Sequence, residues 1–238
     1  MSDPTPLVQI EIPSRRDMLR NIALAVTAVA GGRLKLEAAQ HVHQQVKEEK
    51  KTAGTYQPKL FNKHEYATLS RLSELIVPAD EVSGSAKDAG APEFIDLLCS
   101  QNPALANIYT GGLAWLDTEM KKLSASTFVE ARADQQVALL DSLVETERTT
   151  KENRQQGLMY EGTAHYIGLG SYGFQSPSDL GPGVFFFSWL RKMTVDAFYT
   201  SEIGIQDIQY KGNSVLSQFE VPRESIDFAL QRSPFAKH

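Results

Sequence analysis

The chain has 238 residues, 24 of them lysine or arginine and 29 aspartate or glutamate, giving a formal net charge of −5 at pH 7. That acidic balance argues against nucleic acid as a partner, whose phosphates call for clustered cations. Cys99 is the single cysteine, which excludes an internal disulfide and any cysteine-ligated iron–sulfur cluster or covalently attached haem within the chain, since each needs at least two.

Residues 14–24 read Ser-Arg-Arg-Asp-Met-Leu-Arg-Asn-Ile-Ala-Leu. The pair Arg15 and Arg16, followed by a short and weakly apolar run, is the pattern of a twin-arginine export signal, which sends proteins across a membrane already folded. The apolar part, residues 22–32, falls well short of the roughly 20 residues that span a bilayer, so it reads as a signal core rather than an anchor. Small residues offer two cleavage sites, Ala28-Val29-Ala30 and Glu37-Ala38-Ala39. An amphipathic helix with solvated arginines is the other reading of these residues. Residues 1–39 are therefore expected to be a twin-arginine signal region that directs the chain, through the translocase, to the periplasm. They carry five basic and four acidic residues, so the remainder carries −6. Roughly 200 residues are then left, enough for one domain with a real core.

Residues 40–60 are polar, with Lys-Glu-Glu-Lys-Lys at 47–51, and are expected to form a linker or a solvated helix. From residue 61 the pattern is helical. Asn62 with Glu65 makes a capping box, and Leu69, Leu72, Leu75 and Ile76 recur at helical spacing until Pro78, predicting a helix over 63–77. Pro92 sits where a first turn accepts proline and opens a run with Phe94, Ile95, Leu97 and Leu98. Asn102-Pro103 starts another helix to about Leu123, weakened at Gly111-Gly112. A fourth begins near Asp134 with Val137, Leu139, Leu140 and Leu143. Residues 149–183 lose the pattern and are expected to be a long irregular insert, which in a compact domain is usually functional. Residues 185–200 restore an apolar helix with Trp189, Leu190, Met193, Val195, Phe198 and Tyr199. Beyond it only short runs such as 205–208 suggest strand. The fold expected is all-α: a compact bundle of about five helices over 61–238, with the insert and a loop-rich tail.

Candidate chemistry is sparse. Gly168-Leu169-Gly170-Ser171-Tyr172-Gly173 matches the dinucleotide fingerprint literally, yet neither the strand before it nor the helix after it is present. The histidines, His41, His43, His64, His165 and His238, show no compact metal-ligand spacing. Glu161 and His165 stand four apart and would pair as acid and base if that segment were helical; a stand-alone enzyme or ligand-binding domain using residues 161–173 is the alternative function. Cys99, beside Leu97 and Leu98, is expected to be a buried and inert thiol.

One segment stands above this background. Phe198-Tyr199-Thr200-Ser201, Gly204 and the turn Tyr210-Lys211-Gly212-Asn213 resemble the C-terminal signature of the gluconate 2-dehydrogenase subunit 3 family. Residues 69–78 with Asp80, and Gly90-Ala91-Pro92-Glu93-Phe94-Ile95-Asp96, resemble its opening helices, and a twin-arginine leader is common in it. The resemblance covers most of 60–220. It implies a non-catalytic small subunit beside a large FAD-dependent dehydrogenase of the glucose-methanol-choline type, often completed by a multihaem cytochrome c. The small chain would carry no cofactor, stabilise the flavoprotein and lend it an export signal. The implied contact residues are Trp189, Phe198, Tyr199, Gly204, Tyr210, Gly212 and Asn213: aromatic groups bury much area at small entropic cost, and glycines let backbones approach. Packing of the aromatics against their own helices is the open alternative, a plain turn is the alternative for Gly212-Asn213, and Arg191 is expected to lie along its helix rather than reach a partner.

Overall fold

The computed structural model describes residues 36–161, 176–208, 223, 226 and 227. Two units divide the chain, Met1–Ile208 and Gln209–His238. In the second, only Arg223, Ile226 and Asp227 are described, with the Arg223 guanidinium 4.0 Å from the Asp227 carboxylate. The first is all-α among its described residues, with seven helices: α1 (Leu36–Ala53), α2 (Lys63–Ile76), α3 (Ala91–Gln101), α4 (Pro103–Ser124), α5 (Ala133–Glu161), α6 (Gly181–Tyr199) and α7 (Glu202–Asp207).

The helix starts follow local chemistry. Asn62 accepts from the His64 and Glu65 amides while the Glu65 carboxylate accepts from the Asn62 amide, so the capping box closes as the sequence predicts. Gly90 precedes α3 in the left-handed region at φ 80°, a conformation that favours glycine, and Pro92 occupies the first turn. Asn102 caps α4 by accepting from the Ala104 and Leu105 amides.

Two helices form the centre. α3 buries every residue from Ala91 to Cys99, and α6 buries residues on most of its circumference, as expected of a helix enclosed by neighbours. α6 packs against α2, α3, α4, α5 and α7, while α1, α2 and α4 also pack on α3. The α4–α6 contact is reciprocal. A Cβ on Gly112 would lie 2.1 Å from the Phe186 ring, and a Cβ on Gly183 would lie 2.1 Å from the Trp115 ring. Each helix thus presents a glycine to the other's aromatic, which brings the two axes close. The Gly111-Gly112 pair, read as a weak point, leaves α4 continuous and makes this contact possible.

Three expectations change. Of the linker or solvated helix expected over residues 40–60, the helix is present but not solvated all round: α1 occupies Leu36–Ala53 and buries Ala39, Val42 and Val46. Its apolar stripe is three small residues in a run of charge, enough to pack a helix and too little to stand out. Helices reach into the expected insert from both ends, since α5 continues to Glu161 and α6 begins at Gly181, while residues 162–175 lie outside the described residues. Lys, Glu, Arg and Gln are good helix formers, so losing apolar periodicity at residue 149 does not end the helix. Residues 205–208, suggestive of strand, lie in α7 and the turn after it.

Candidate partner interface

Segment 56–61 is held to α3 by one buried carboxylate. Asp96 accepts from the Tyr56 hydroxyl at 2.8 Å and from the Lys59, Leu60 and Phe61 amides at 2.7, 3.1 and 3.1 Å. Four donors around two oxygens satisfy a charge that would otherwise be costly to bury. Burial and Asp96 together push the Tyr56 hydroxyl far above its ordinary range. Burial, with Asp96 adding to it, also raises the Cys99 thiol well above its usual value, so Cys99 is the inert thiol expected. Asp96 has every feature of a structural clamp.

A second buried charge joins α5 to α6. Arg191 makes two contacts with Glu147, at 2.9 and 3.0 Å, and its guanidinium stands 5.4 Å from the Phe187 ring centre. Arg191 therefore reaches α5 as well as lying over its own helix.

The α6–α7 corner carries the family-like motif. Ser201 caps α7, accepting from the Gly204 amide at 3.1 Å while its hydroxyl donates to the Phe198 carbonyl at 2.6 Å. Gly204 sits under that carbonyl, where a Cβ would come within 2.1 Å of the oxygen, so the corner admits only glycine there. Phe198 is 1 % exposed and Trp189 7 % exposed. Trp189, Phe198 and Gly204, read as contact candidates, thus serve internal packing, the alternative left open for the aromatics. Tyr199 points the other way: it meets Phe198 edge-on at 5.0 Å and remains 41 % exposed. Ile208, which sequence reasoning passed over, follows the last residue of α7 and is 54 % exposed. Tyr210, Gly212 and Asn213 lie outside the described residues, as do Arg15 and Arg16.

His43 of α1 braces this corner. Its Nε2 lies 3.1 Å from Thr200 Oγ1 and its ring 4.8 Å from that of Phe94. Burial pulls its pKa down to about 4 against the opposing hydrogen bond to the Ala197 carbonyl, so the ring is neutral at pH 7. A shallow cleft of about 480 Å³ lies between α1, the loop before α3 and α7, lined by His43, Lys47, Lys50, Lys51, Asp88 and Glu202 among others. Its charges are mixed and mostly paired: Lys47 with Glu202, Lys50 with Glu93, and the Asp88 carboxylate with Ser85.

The remaining candidates fall partly outside the described residues. His64 pairs with Asp117 at 2.6 Å, tying the start of α2 to α4, and Asp117 also accepts from the Phe128 amide. Glu161 is the last residue of α5, while His165 and residues 168–173 lie outside the described residues. Among the described residues no group of three or more His, Cys, Asp or Glu is placed to hold a metal ion, and no helix is long and apolar enough to cross a membrane.

The described residues define a class: an all-α scaffold whose buried charges fasten helices to one another. Residues 63–216 match the family model described as gluconate 2-dehydrogenase subunit 3, and the chain belongs to that family. No curated protein and no solved structure matches it. The match begins at the first residue of α2 and runs past Tyr210, Gly212 and Asn213, so it includes the whole corner and leaves α1 outside.

Proposed function

We propose that this chain is the non-catalytic small subunit of a periplasmic, FAD-dependent sugar or alcohol dehydrogenase complex of the glucose-methanol-choline type. It stabilises the large flavoprotein and supplies the twin-arginine signal through Arg15 and Arg16. FAD belongs to the large chain, and haem c, where a multihaem cytochrome subunit completes the complex, to that subunit. The observation that carries this reading is the family match over residues 63–216, since the family takes its name from a third subunit of a dehydrogenase. The pairing has a physical logic: a flavoprotein that acquires FAD in the cytoplasm must cross the membrane folded, and a companion with a folded-protein signal can take it there.

Within the first unit, Tyr199 and Ile208 are the contact residues in this reading, because they offer exposed apolar area at the end of α6 and just after α7, inside the family match. Tyr210, Gly212 and Asn213 remain contact candidates on the motif they share with the family. The test is co-expression with a large FAD-dependent chain from an adjacent reading frame, should one be encoded there. The two are expected to purify in a fixed ratio with flavin on the large chain, and Arg15→Lys with Arg16→Lys is expected to leave both in the cytoplasm. Turnover of a sugar or alcohol by the isolated small chain, or stoichiometric flavin, haem or metal bound to it, would overturn the reading.

A further inference from the structure

The packing of α1 bears on where the leader ends. Small-residue sites suit signal cleavage at Ala30 and, less well because Glu37 stands third from the scissile bond, at Ala39. The second site falls inside α1. Ala39 is 0 % exposed, and Val42 and Val46 follow it into the same core. α1 is further fastened by the His43 contacts with Thr200 and Phe94 and by the Lys50 pair with Glu93, which reach α3 and the end of α6. A protease binds its substrate extended, so scission after Ala39 requires the first turns of α1 to unwind and leave the body. Cleavage there would also strip Ala39 from the core.

We propose that the leader ends upstream of Leu36 and that α1 is a permanent part of the exported body, the Ala39–Gln40 bond being closed to signal peptidase by folding. This rests on the export reading above. The two are linked through the route: a chain threaded across unfolded would present Ala39 openly, whereas a chain that crosses folded arrives with α1 already docked. The family match starts at Lys63 and says nothing about α1, so the assignment comes from packing alone.

The first test is the mass and N-terminal sequence of the exported full-length product. A start at Gly31, or any start before Leu36, supports the proposal, and a start at Gln40 overturns it. Ala30→Asp, which blocks the upstream site, is expected to accumulate uncleaved chain; a shift of scission to Ala39 would overturn the proposal. Hydrogen exchange on the full chain decides the part that does not depend on export. Amides of residues 42–46 are expected to exchange at least about a hundredfold slower than in free peptide. Free-peptide rates there would refute α1 as part of the body. If the chain is retained in the cytoplasm while these amides stay protected, the export reading fails and the placement of α1 stands.

Discussion

Gly111 and Gly112 are neighbours with opposite duties. A Cβ at 111 meets nothing within 4 Å, whereas one at 112 would strike the buried Phe186 ring at 2.1 Å. Gly111→Ala is therefore expected to stabilise the protein by about 0.5–1 kcal/mol through helix propensity. Gly112→Ala gains the same propensity and loses it to overpacking, for a net cost of ~1–3 kcal/mol, and Gly183→Ala against Trp115 behaves likewise. Urea unfolding of the three variants reads the signs directly; equal shifts for 111 and 112 would refute the close α4–α6 contact. His43 offers a second residue-level test. Its folded pKa of about 4 lies below the ordinary histidine value of 6.5, so the unfolded chain takes up the proton first as pH falls. The stability due to the neutral ring is complete above pH 6.5 and drains away between 6.5 and 4. Two and a half units set an upper bound of ~3 kcal/mol, reduced by the ring's partial exposure. Thermal melts of the wild type and His43→Gln across this window should show the wild type losing more, and parallel curves would remove the argument.

At the scale of elements, Asp96 explains why the start of α2 stays where it does. Its four donors include three consecutive backbone amides just before the Asn62 cap, so one carboxylate fixes the direction in which the chain enters the helix. Asp96→Asn turns an amide nitrogen toward at least one of those donors and is expected to cost about 2–3 kcal/mol, read by urea unfolding. A change below about 0.5 kcal/mol would mean the segment is held by something else. The elements that could be read in the sequence are those with a local signature: the cap at Asn62, Pro92 and Pro103 in first turns, and the long apolar runs of α4 and α6. α1 hid because its buried stripe is an alanine and two valines in a charged run, with a histidine completing the contact. α7 hid because six residues cannot show a helical period, and its isoleucines imitate alternation. The contact residues were hard for another reason, since aromatics serve cores and interfaces alike. On α6, which is buried on most of its circumference, periodicity does not separate Tyr199 from its buried neighbours.

For the whole molecule, the question is whether the described unit is an enzyme in miniature or a scaffold that completes another chain. Among the described residues, three charged contacts serve packing between elements. Asp96 holds segment 56–61, Glu147 holds Arg191, and His64 holds Asp117. Two exposed apolar residues fall inside the family match and beside its C-terminal motif, Tyr199 at the end of α6 and Ile208 just after α7. Replacing both with aspartate should leave the fold intact, because neither side chain is in the core. It should weaken retention of the large chain by at least about thirtyfold, the loss of one aromatic anchor of ~2 kcal/mol. Leu123→Asp, at the end of α4 and more exposed than either, is the matched control and should retain the partner fully. The comparison separates a specific corner from general surface greasiness. Equal loss in the control would point to nonspecific adhesion, and full retention by the corner variant would move the interface to another face. An export assay adds the functional arm: a large chain without a signal of its own can reach the periplasm only while bound, so the corner variant should strand it in the cytoplasm while the small chain still crosses.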